Sequence, residues 1–424
     1  MESSAAKGMV IIMDNLVYSV WLSEAIGAEN RLYTLLLDEY SDAYNIYCET
    51  SFSLPEQFSS AVSRLNQKNL KSALNILDEC RNSNIQILTR TDPLYPKRLL
   101  AITAPPFVLY VKGKPVPLDD EVCIGVVGTR DISEAGDYAA KYMGFGLAAG
   151  GVVVVSGLAQ GVDSAAHTGC IGSGGTTIAV LGCGHNMAQR QFNRKLFNRI
   201  CETGFVISEY PPSAAAKRYT YPQRNRIISG ISQAVVVVEA GDKSGALITA
   251  RYALKQGRPV YAVTNSNGLL DYSGGVMLIE EGANLVRGPE EILSEFELLY
   301  PHKISKQRAL EAFERRALTK QRRSDNIVVE QDKKPEEKPK IKKTKKKINE
   351  KPTAKKLPAV FDDSGLGVFE REVCKLVYQH NQITPDEICL ALSSNASAVG
   401  SALTALELCG FVQALPGGLY APEI

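Results

Sequence analysis

Residues 122–130 read Val122-Cys123-Ile124-Gly125-Val126-Val127-Gly128-Thr129-Arg130, and this stretch decides how the rest of the chain is parsed. An apolar run this short, closed by a glycine, is too brief for a buried helix and suits a strand covered on both faces. Comparable runs follow at Val152–Val155, Thr177–Leu181, Phe205–Ser208, Ala234–Glu239, Pro259–Val263 and Asn284–Val286, separated by stretches long enough for crossover helices. The alternation predicts an α/β fold over residues 121–300, a Rossmann-like, doubly wound, mostly parallel sheet. Ligands of that architecture bind outside the carboxyl ends of the strands. The residues that close each run are therefore the candidate site.

Four strand-end segments carry suitable chemistry. Gly128-Thr129-Arg130 precedes a helix expected to begin near Ser133, so a close backbone approach, free helix N–H groups and a forked guanidinium coincide. Ser156-Gly157-Leu158-Ala159-Gln160-Gly161-Val162-Asp163 closes the second run, its small residues leaving backbone amides for an anion, with His167 one turn further on. Asp163 capping that helix and His167 lying against the sheet are the structural alternatives. Arg224-Asn225-Arg226 stands before an apolar helix, Ile227–Ile231, and is expected to face solvent or a ligand, or else to pair with Glu239 or Asp242. Lys243-Ser244-Gly245 opens another helix and forms an anion cradle. Together these loops describe an elongated anion site. A dinucleotide fingerprint is absent, as is a Walker motif, so neither a redox cofactor nor ATP hydrolysis is expected. No metal-ligand spacing and no nucleophile–base pair stands out, and the expectation is a site that holds rather than cleaves, with no cofactor and no metal.

The flanking segments differ in kind. Residues 1–90 read as a small helical domain of SAM-like type, and residues 91–120, punctuated by Pro93, Pro96, Pro105 and Pro106, as an extended connector packed on the core. After Glu291 a charged, helical stretch gives way to a Lys/Pro/Glu segment, and residues 301–362 are bounded as a charged flexible linker. Within it, 331–356 holds 12 lysines against 4 acids, a net of +8, which leaves −6 for the rest of the chain. Any grip on a polyanion by the folded part must then be local. Residues 363–424 read as a winged helix-turn-helix: helix Phe369–Gln379, a capping box at Thr384-Pro385-Asp386-Glu387, a third helix from Asn395 to Cys409, and a terminal hairpin around Pro416-Gly417-Gly418. The start Met1-Glu2-Ser3-Ser4 is unlike a secretory signal, no apolar run approaches the roughly 18 residues of a membrane span, and the nine scattered cysteines read as reduced, buried thiols. A cytoplasmic protein without a membrane partner is expected.

In this order, several strings resemble the DprA/Smf family of DNA-processing proteins: Asp92-Pro93-Leu94-Tyr95-Pro96, Val127-Gly128-Thr129-Arg130, Ser156-Gly157-Leu158-Ala159 with Gly161, Asp163, Ala166 and His167, Thr177–Gly182, Ser208-Glu209-Tyr210-Pro211-Pro212, Arg224-Asn225-Arg226, Lys243-Ser244-Gly245 and Leu278–Ala283. The resemblance runs from about Thr89 to Val286. It implies a protein that binds single-stranded DNA, forms a homodimer and helps load the RecA recombinase in natural transformation or other recombination, without catalytic turnover. Carried over by motif, Arg130, Ser156, Gly157, Arg224, Asn225, Arg226, Lys243, Ser244 and Gly245 would line the phosphate-binding groove. The chain departs from the family at Gln160, usually arginine, at Gln189-Arg190, usually Tyr-Pro, at Thr264-Asn265, usually Pro-Gly, and at Val276, usually asparagine. The missing cation at Gln160 implies one phosphate contact fewer.

Two other functions fit the same fold. A nucleotide-processing enzyme of the phosphoribohydrolase type would carry a Pro-Gly-Gly-x-Gly-Thr-x-x-Glu loop, and the nearest stretch here is Glu239-Ala240-Gly241-Asp242-Lys243-Ser244-Gly245. A nucleotide-sensing transcription regulator would read duplex DNA with the third helix of the winged domain, yet Asn395–Glu407 has no basic residue to reach base edges.

Overall fold

In the computed structural model the described residues are 15–27, 30–52, 54–191, 193–264, 272–331, 368–380, 382–392, 394, 399–400, 402–403, 406–407, 411–415 and 419–422. They divide into two units, Met1–Lys334 and Pro335–Ile424. The first opens with helices α1 (15–26), α2 (Asn30–Tyr40), α3 (Ala43–Cys48), α4 (Ser59–Asn66) and α5 (Lys71–Asn82). Their apolar stripes, among them Val20, Trp21, Leu36, Ile46, Leu65 and Ile76, close on one another and on Phe107, Val108 and Tyr110. The helices therefore cap one edge of the sheet.

That edge consists of β1 (Gln86–Thr89) and β2 (Val108–Gly113), which the sequence reading left inside the helical segment and the connector. β1 runs antiparallel to β2. β2 alternates in the two-residue period of a strand, sending Val108 and Tyr110 into the helical cluster and Leu109 and Val111 into the sheet core. With both faces buried it has no polar face, so its apolar sequence hides the alternation.

The chain then runs β3 (Cys123–Val127), α6 (Glu134–Ala149), β4 (Val153–Ser156), α7 (Val162–Gly172), β5 (Thr177–Leu181), α8 (His185–Gln191), α9 (Arg194–Thr203), β6 (Phe205–Ser208), α10 (Thr220–Ile231), β7 (Ala234–Val237), α11 (Gly245–Lys255), β8 (Val260–Val263), α12 (Ser273–Glu280), β9 (Asn284–Val286), α13 (Pro289–Leu299) and α14 (Lys306–Gln331). The sheet order is β1-β2-β6-β5-β4-β3-β7-β8-β9. Every pair from β6 to β9 along that order is parallel, and β2 joins β6 antiparallel. From β3 the chain winds outward to β6, then returns to the other side of β3 as β7. The switch of winding direction lies between β3 and β7, where this architecture opens a crevice.

Helices cover both faces. α6, α7 and α13 pack on Ile124, Val126, Val154 and Val236, while α10 and α11 pack on Val127, Val155, Val180 and Val237. α6 and α7 approach closely because Gly144 lies against the Ala166 carbonyl and Gly169 against the Lys141 carbonyl, where a Cβ would overlap backbone. α13 and α14 supply the charged helical stretch expected after Glu291, but α14 runs on to Gln331, well past the boundary at 301 where the flexible linker was expected to begin. Phe313 stacks between Tyr142 and Phe145 with ring centroids 4.6 and 4.9 Å away, and Ala309 is buried. A few apolar residues at helical spacing suffice to dock a highly charged helix, and the composition of the whole segment masks them. Residues 332–362 of that expected linker, with 12 of its 15 lysines, lie outside the described residues.

In the second unit α15 (Val368–His380) and α16 (Pro385–Leu392) pack with a hairpin of β10 (Val412–Leu415) and β11 (Leu419–Pro422). The capping box forms: Glu387 accepts from the Thr384 amide at 2.9 Å, and Thr384 accepts from the Glu387 amide at 3.3 Å. Of the expected third helix only 399–400, 402–403 and 406–407 are described; they are helical, with Val399, Leu403 and Leu406 buried beside Val373 and Ile388. The expected turn Pro416-Gly417-Gly418 lies outside the described residues. Among the described residues no helix is long and apolar enough to cross a membrane. The described cysteines are free thiols, mostly buried, with Cys201 and Cys389 half-buried and Cys48 exposed.

The α6–α7 contact is a sensitive point. Gly144→Ala is expected to lower the unfolding free energy by about 1–3 kcal/mol through overpacking, measured by denaturant titration. An unchanged midpoint would mean that the two helices can move apart at no cost.

Candidate functional site

A groove of about 1200 Å³ opens at the carboxyl edge of the sheet, at the switch of winding direction. Gly128, Thr129, Arg130 and Asp131 form one wall and the turn from Gly241 into α11 the other; Tyr221, Pro222, Arg224, Asn225 and Ile228 of α10 make the floor, and Ala216, Lys217 and Arg218 overhang it. Arg130, Lys217, Arg218 and Lys243 are exposed. Among the described residues none of the four is within ion-pair distance of a carboxylate. Asp131 and Asp242 also line the groove, so it carries a local excess of positive charge inside a domain without a general one.

Of the residues singled out from the sequence, Gly128, Thr129, Arg130, Ala159, Asp163, Arg224, Asn225, Lys243, Ser244 and Gly245 meet here, and Ser156, Gly157, Gln160, Gly161, Arg226 and His167 are not among the lining residues. Ser156 is buried and donates to the Val126 carbonyl at 2.6 Å, locking β4 to β3. Gln160 is exposed in the turn before α7, and Gly161 holds that turn with φ of 84°. Arg224-Asn225-Arg226 lies within α10, not ahead of it, and neither arginine faces solvent. Arg226 pairs with Glu209, both carboxylate oxygens within 2.7 Å, a different partner from Glu239 or Asp242. Asn225 donates to the Gly245 carbonyl at 3.2 Å and so ties the floor to the start of α11.

Two of the amide-rich segments expected to receive an anion are already filled by carboxylates of the chain. At the start of α6, Glu239 accepts from the Ser133 hydroxyl at 2.9 Å and from its amide at 3.2 Å. In the loop after β4, Asp163 accepts from the amides of Gly157 at 3.1 Å and Ala159 at 3.4 Å. Only the third, the start of α11, has no internal carboxylate cap among the described residues. There Ser244 caps by accepting from Ala246 at 3.3 Å, and nothing stands within 4 Å of a Cβ built on Gly245. The open anion cradle is therefore Lys243-Ser244-Gly245.

Beneath the groove lies a buried polar layer. Arg224 donates to the Val180 carbonyl and packs directly on Gly157, where a Cβ would collide with its guanidinium. Burial pushes Arg224 down and Asp163 up, and the two opposite charges partly offset each other. Thr177 donates to the Val154 carbonyl, so its hydroxyl must accept from Nδ1 of His167 at 2.7 Å, which leaves Nε2 as a bare acceptor without a partner. Such a histidine is a strut against the sheet. Lys217, Arg218 and Tyr221 were not singled out from the sequence. The signal lay in Lys217-Arg218-Tyr219-Thr220-Tyr221, cations interleaved with aromatics, a composition suited to unpaired nucleic acid. Arg130 lies 5.1 Å from the Tyr221 ring centroid, and Lys217 lies 5.7 Å from that of the exposed Tyr219.

Two stability measurements separate scaffold from surface. Arg226→Ala leaves the half-buried Glu209 without its partner and is expected to cost about 1–3 kcal/mol, whereas Lys243→Ala should stay within about 0.5 kcal/mol; equal effects would contradict the assignment. Burial also pushes His167 down to about 3 and His185 to about 4. An unfolded histidine titrates near 6.5, so below about that pH the unfolded chain binds protons that the folded chain refuses. Stability is thus flat above that pH and is expected to fall about tenfold in the folding constant per pH unit for each histidine down to about pH 4. His167→Asn should remove one of those two factors in denaturation curves, and an unchanged pH slope would show that His167 is protonated in the fold.

With this geometry in place, the relatives of the chain become informative. Residues 86–297 match the family model of DNA recombination-mediator protein A, and residues 373–418 match the DprA winged helix domain. The chain is 37% identical over 222 residues to the DNA processing protein DprA of Bacillus subtilis, covering 52% of this chain and 74% of that protein. It is 39% identical over 236 residues to Protein Smf of Synechocystis, covering 54% of this chain and 58% of the relative. The X-ray structure of DNA processing protein A from Streptococcus pneumoniae superposes with a TM-score of 0.57 at 31% identity, over 66% of this chain and 97% of that one. The chain belongs to the DNA recombination-mediator protein A family, DprA/Smf.

Proposed function

We propose that this protein is a single-stranded DNA-binding recombination mediator that holds the strand by its phosphates in the groove at the β3–β7 switch. The observation that carries the reading is the set of four exposed cations, Arg130, Lys217, Arg218 and Lys243, gathered around one edge while the deeper charges are engaged within the chain. Exposed guanidinium and ammonium groups contact phosphates without reading bases. Tyr219 and Tyr221 offer ring faces beside those cations, and stacking of this kind favours unpaired over paired bases. The buried layer beneath the groove makes its floor rigid.

Family membership supports the wider role. The protein would cover exposed or incoming single strands in the cytoplasm, act as a homodimer and pass the strand to the RecA recombinase. Binding without turnover is part of this reading. Steady release of free base from nucleoside monophosphates would replace this reading with a hydrolytic one.

The test is binding of single- and double-stranded oligonucleotides across a salt series. Lys243→Ala and Arg130→Ala are each expected to weaken single-strand binding and to flatten the log–log salt slope by about 0.7 per lost phosphate contact. Wild-type binding by both variants would place the DNA elsewhere.

A further inference from the structure

We infer that Glu79, on the N-terminal helical segment, is a positioning residue for single-strand binding: it clamps the loop that carries Lys217 and Arg218 and so presents both cations to the strand without touching it. This inference rests on the groove being the single-strand site.

Lys217 and Arg218 belong to an eleven-residue connection, 209–219, between β6 and α10. It contains turns but neither helix nor strand. Both side chains are exposed, so the apolar core does not fix them. Holding such a loop still costs backbone entropy, and any part of that cost left to the moment of binding is subtracted from affinity. Whatever fixes the loop beforehand therefore sets part of the affinity.

The loop is fixed on both sides of its cations. At the α10 end the hydroxyl of the buried Thr220 donates to the Lys217 carbonyl at 2.8 Å and accepts from the Lys217 amide at 3.1 Å. On the other side, three alanines before Lys217, the Ser213 hydroxyl donates to Oε1 of Glu79. The same oxygen accepts from Nδ2 of Asn186, in α8, at 2.7 Å. The Asn186 amide donates in turn to the Pro212 carbonyl at 2.9 Å, and the Gly184 amide to that of Ala214 at 2.9 Å. Gly184 lies against the carbonyls of Pro211 and Pro212, where a Cβ would overlap them. The loop and the start of α8 thus form one piece, and Glu79 fastens that piece to α5.

Glu79 does not serve its own helix. The apolar face of α5, Ala73, Ile76, Leu77 and Cys80, is turned into the helical cluster, whereas Glu79 stands in the last turn, where the helix dipole disfavours a carboxylate. Among the described residues no basic side chain is within ion-pair distance of it. What it receives is one hydroxyl and one amide from the piece that leads to the overhanging cations.

The measurement is affinity of the full-length protein for an oligothymidylate of about 16 nucleotides. By charge alone, removing a carboxylate from a binder of polyanions leaves affinity unchanged or tightens it. The clamp predicts the opposite sign: Glu79→Ala is expected to weaken binding about threefold to tenfold, the cost of ordering a side chain or two on binding. Ser213→Ala, which cuts the clamp from the loop side, is expected to weaken binding too. Glu79→Gln keeps an accepting oxygen for Ser213 and Asn186 and is expected to bind like wild type. The loss caused by Glu79→Ala should vanish in the Lys217→Ser/Arg218→Ser background and persist in full in that of Lys243→Ala, whereas a general loss of stability would act equally in both. With Lys243→Ala weakened, three results each overturn the clamp and leave the groove standing: wild-type or tighter binding by both Glu79→Ala and Ser213→Ala, an undiminished loss in the Lys217→Ser/Arg218→Ser background, or an equal loss in Glu79→Gln. Wild-type binding by Lys243→Ala and by Lys217→Ser/Arg218→Ser overturns the groove reading itself.

Discussion

Asp163 and Glu239 turn inward the amides that a doubly wound sheet would otherwise offer to a ligand. Glu239 sits just past the end of β7 and Asp163 in the first turn of α7; each accepts from backbone N–H groups, Asp163 from Gly157 and Ala159, Glu239 from Ser133. In many proteins of this architecture those amides bind the phosphate of a cofactor. Here they are already satisfied, and an incoming anion would have to displace a negative charge held in place by the fold. Of the three amide-rich segments, only the helix start at Lys243-Ser244-Gly245 stays open, and on the proposed reading recognition would pass to it and to side-chain cations. The same constraint explains a groove with room for a ligand and no nucleotide fingerprint.

Arg224 is the complement of Asp163. A guanidinium taken out of water is costly, and its cost is reduced by the Val180 carbonyl and by the opposite charge of Asp163 across the loop. The arrangement couples α10, β5 and the Gly157 loop through one side chain, so the floor of the groove cannot shift without exposing an unpaired charge. The net −6 of the chain outside its lysine-rich segment then ceases to be paradoxical. On the proposed reading, a strand would be held by a few positioned charges on this floor, not by long-range attraction.

The sheet was legible from the sequence because its strands, buried on both faces, announce themselves as apolar runs, whereas their pairing order, and with it the switch of winding, emerged only in the fold. β2 escaped because its faces meet two different apolar partners, so its alternation leaves no polar trace. The extent and docking of α14 were not legible because Phe313 is one aromatic among many charges. The site was legible as a place more than as a set of roles. Spacing gathers Arg130, Asn225 and Lys243 at one edge, but it does not reveal which way a side chain turns on a helix. Arg224 and Arg226, two residues apart on α10, both turn inward, one beneath the Gly157 loop and the other to Glu209.

That difference bears on how motifs of this kind are interpreted. Arg224-Asn225-Arg226 reads as a string of phosphate donors, and a variant at any of its positions that lost DNA binding would seem to confirm it. In the fold, Arg224 supports the loop above it, Asn225 fixes the start of α11 and Arg226 pairs with Glu209, so each substitution would disturb the groove from below. Loss of binding alone therefore cannot tell a residue that touches the strand from one that holds the surface the strand touches. The distinction is electrostatic. An exposed lysine such as Lys243 can be removed at little cost to stability and takes a counterion-release contribution with it, whereas a buried arginine takes stability first. Salt dependence and stability, measured on the same variants, separate the two classes where sequence motifs merge them.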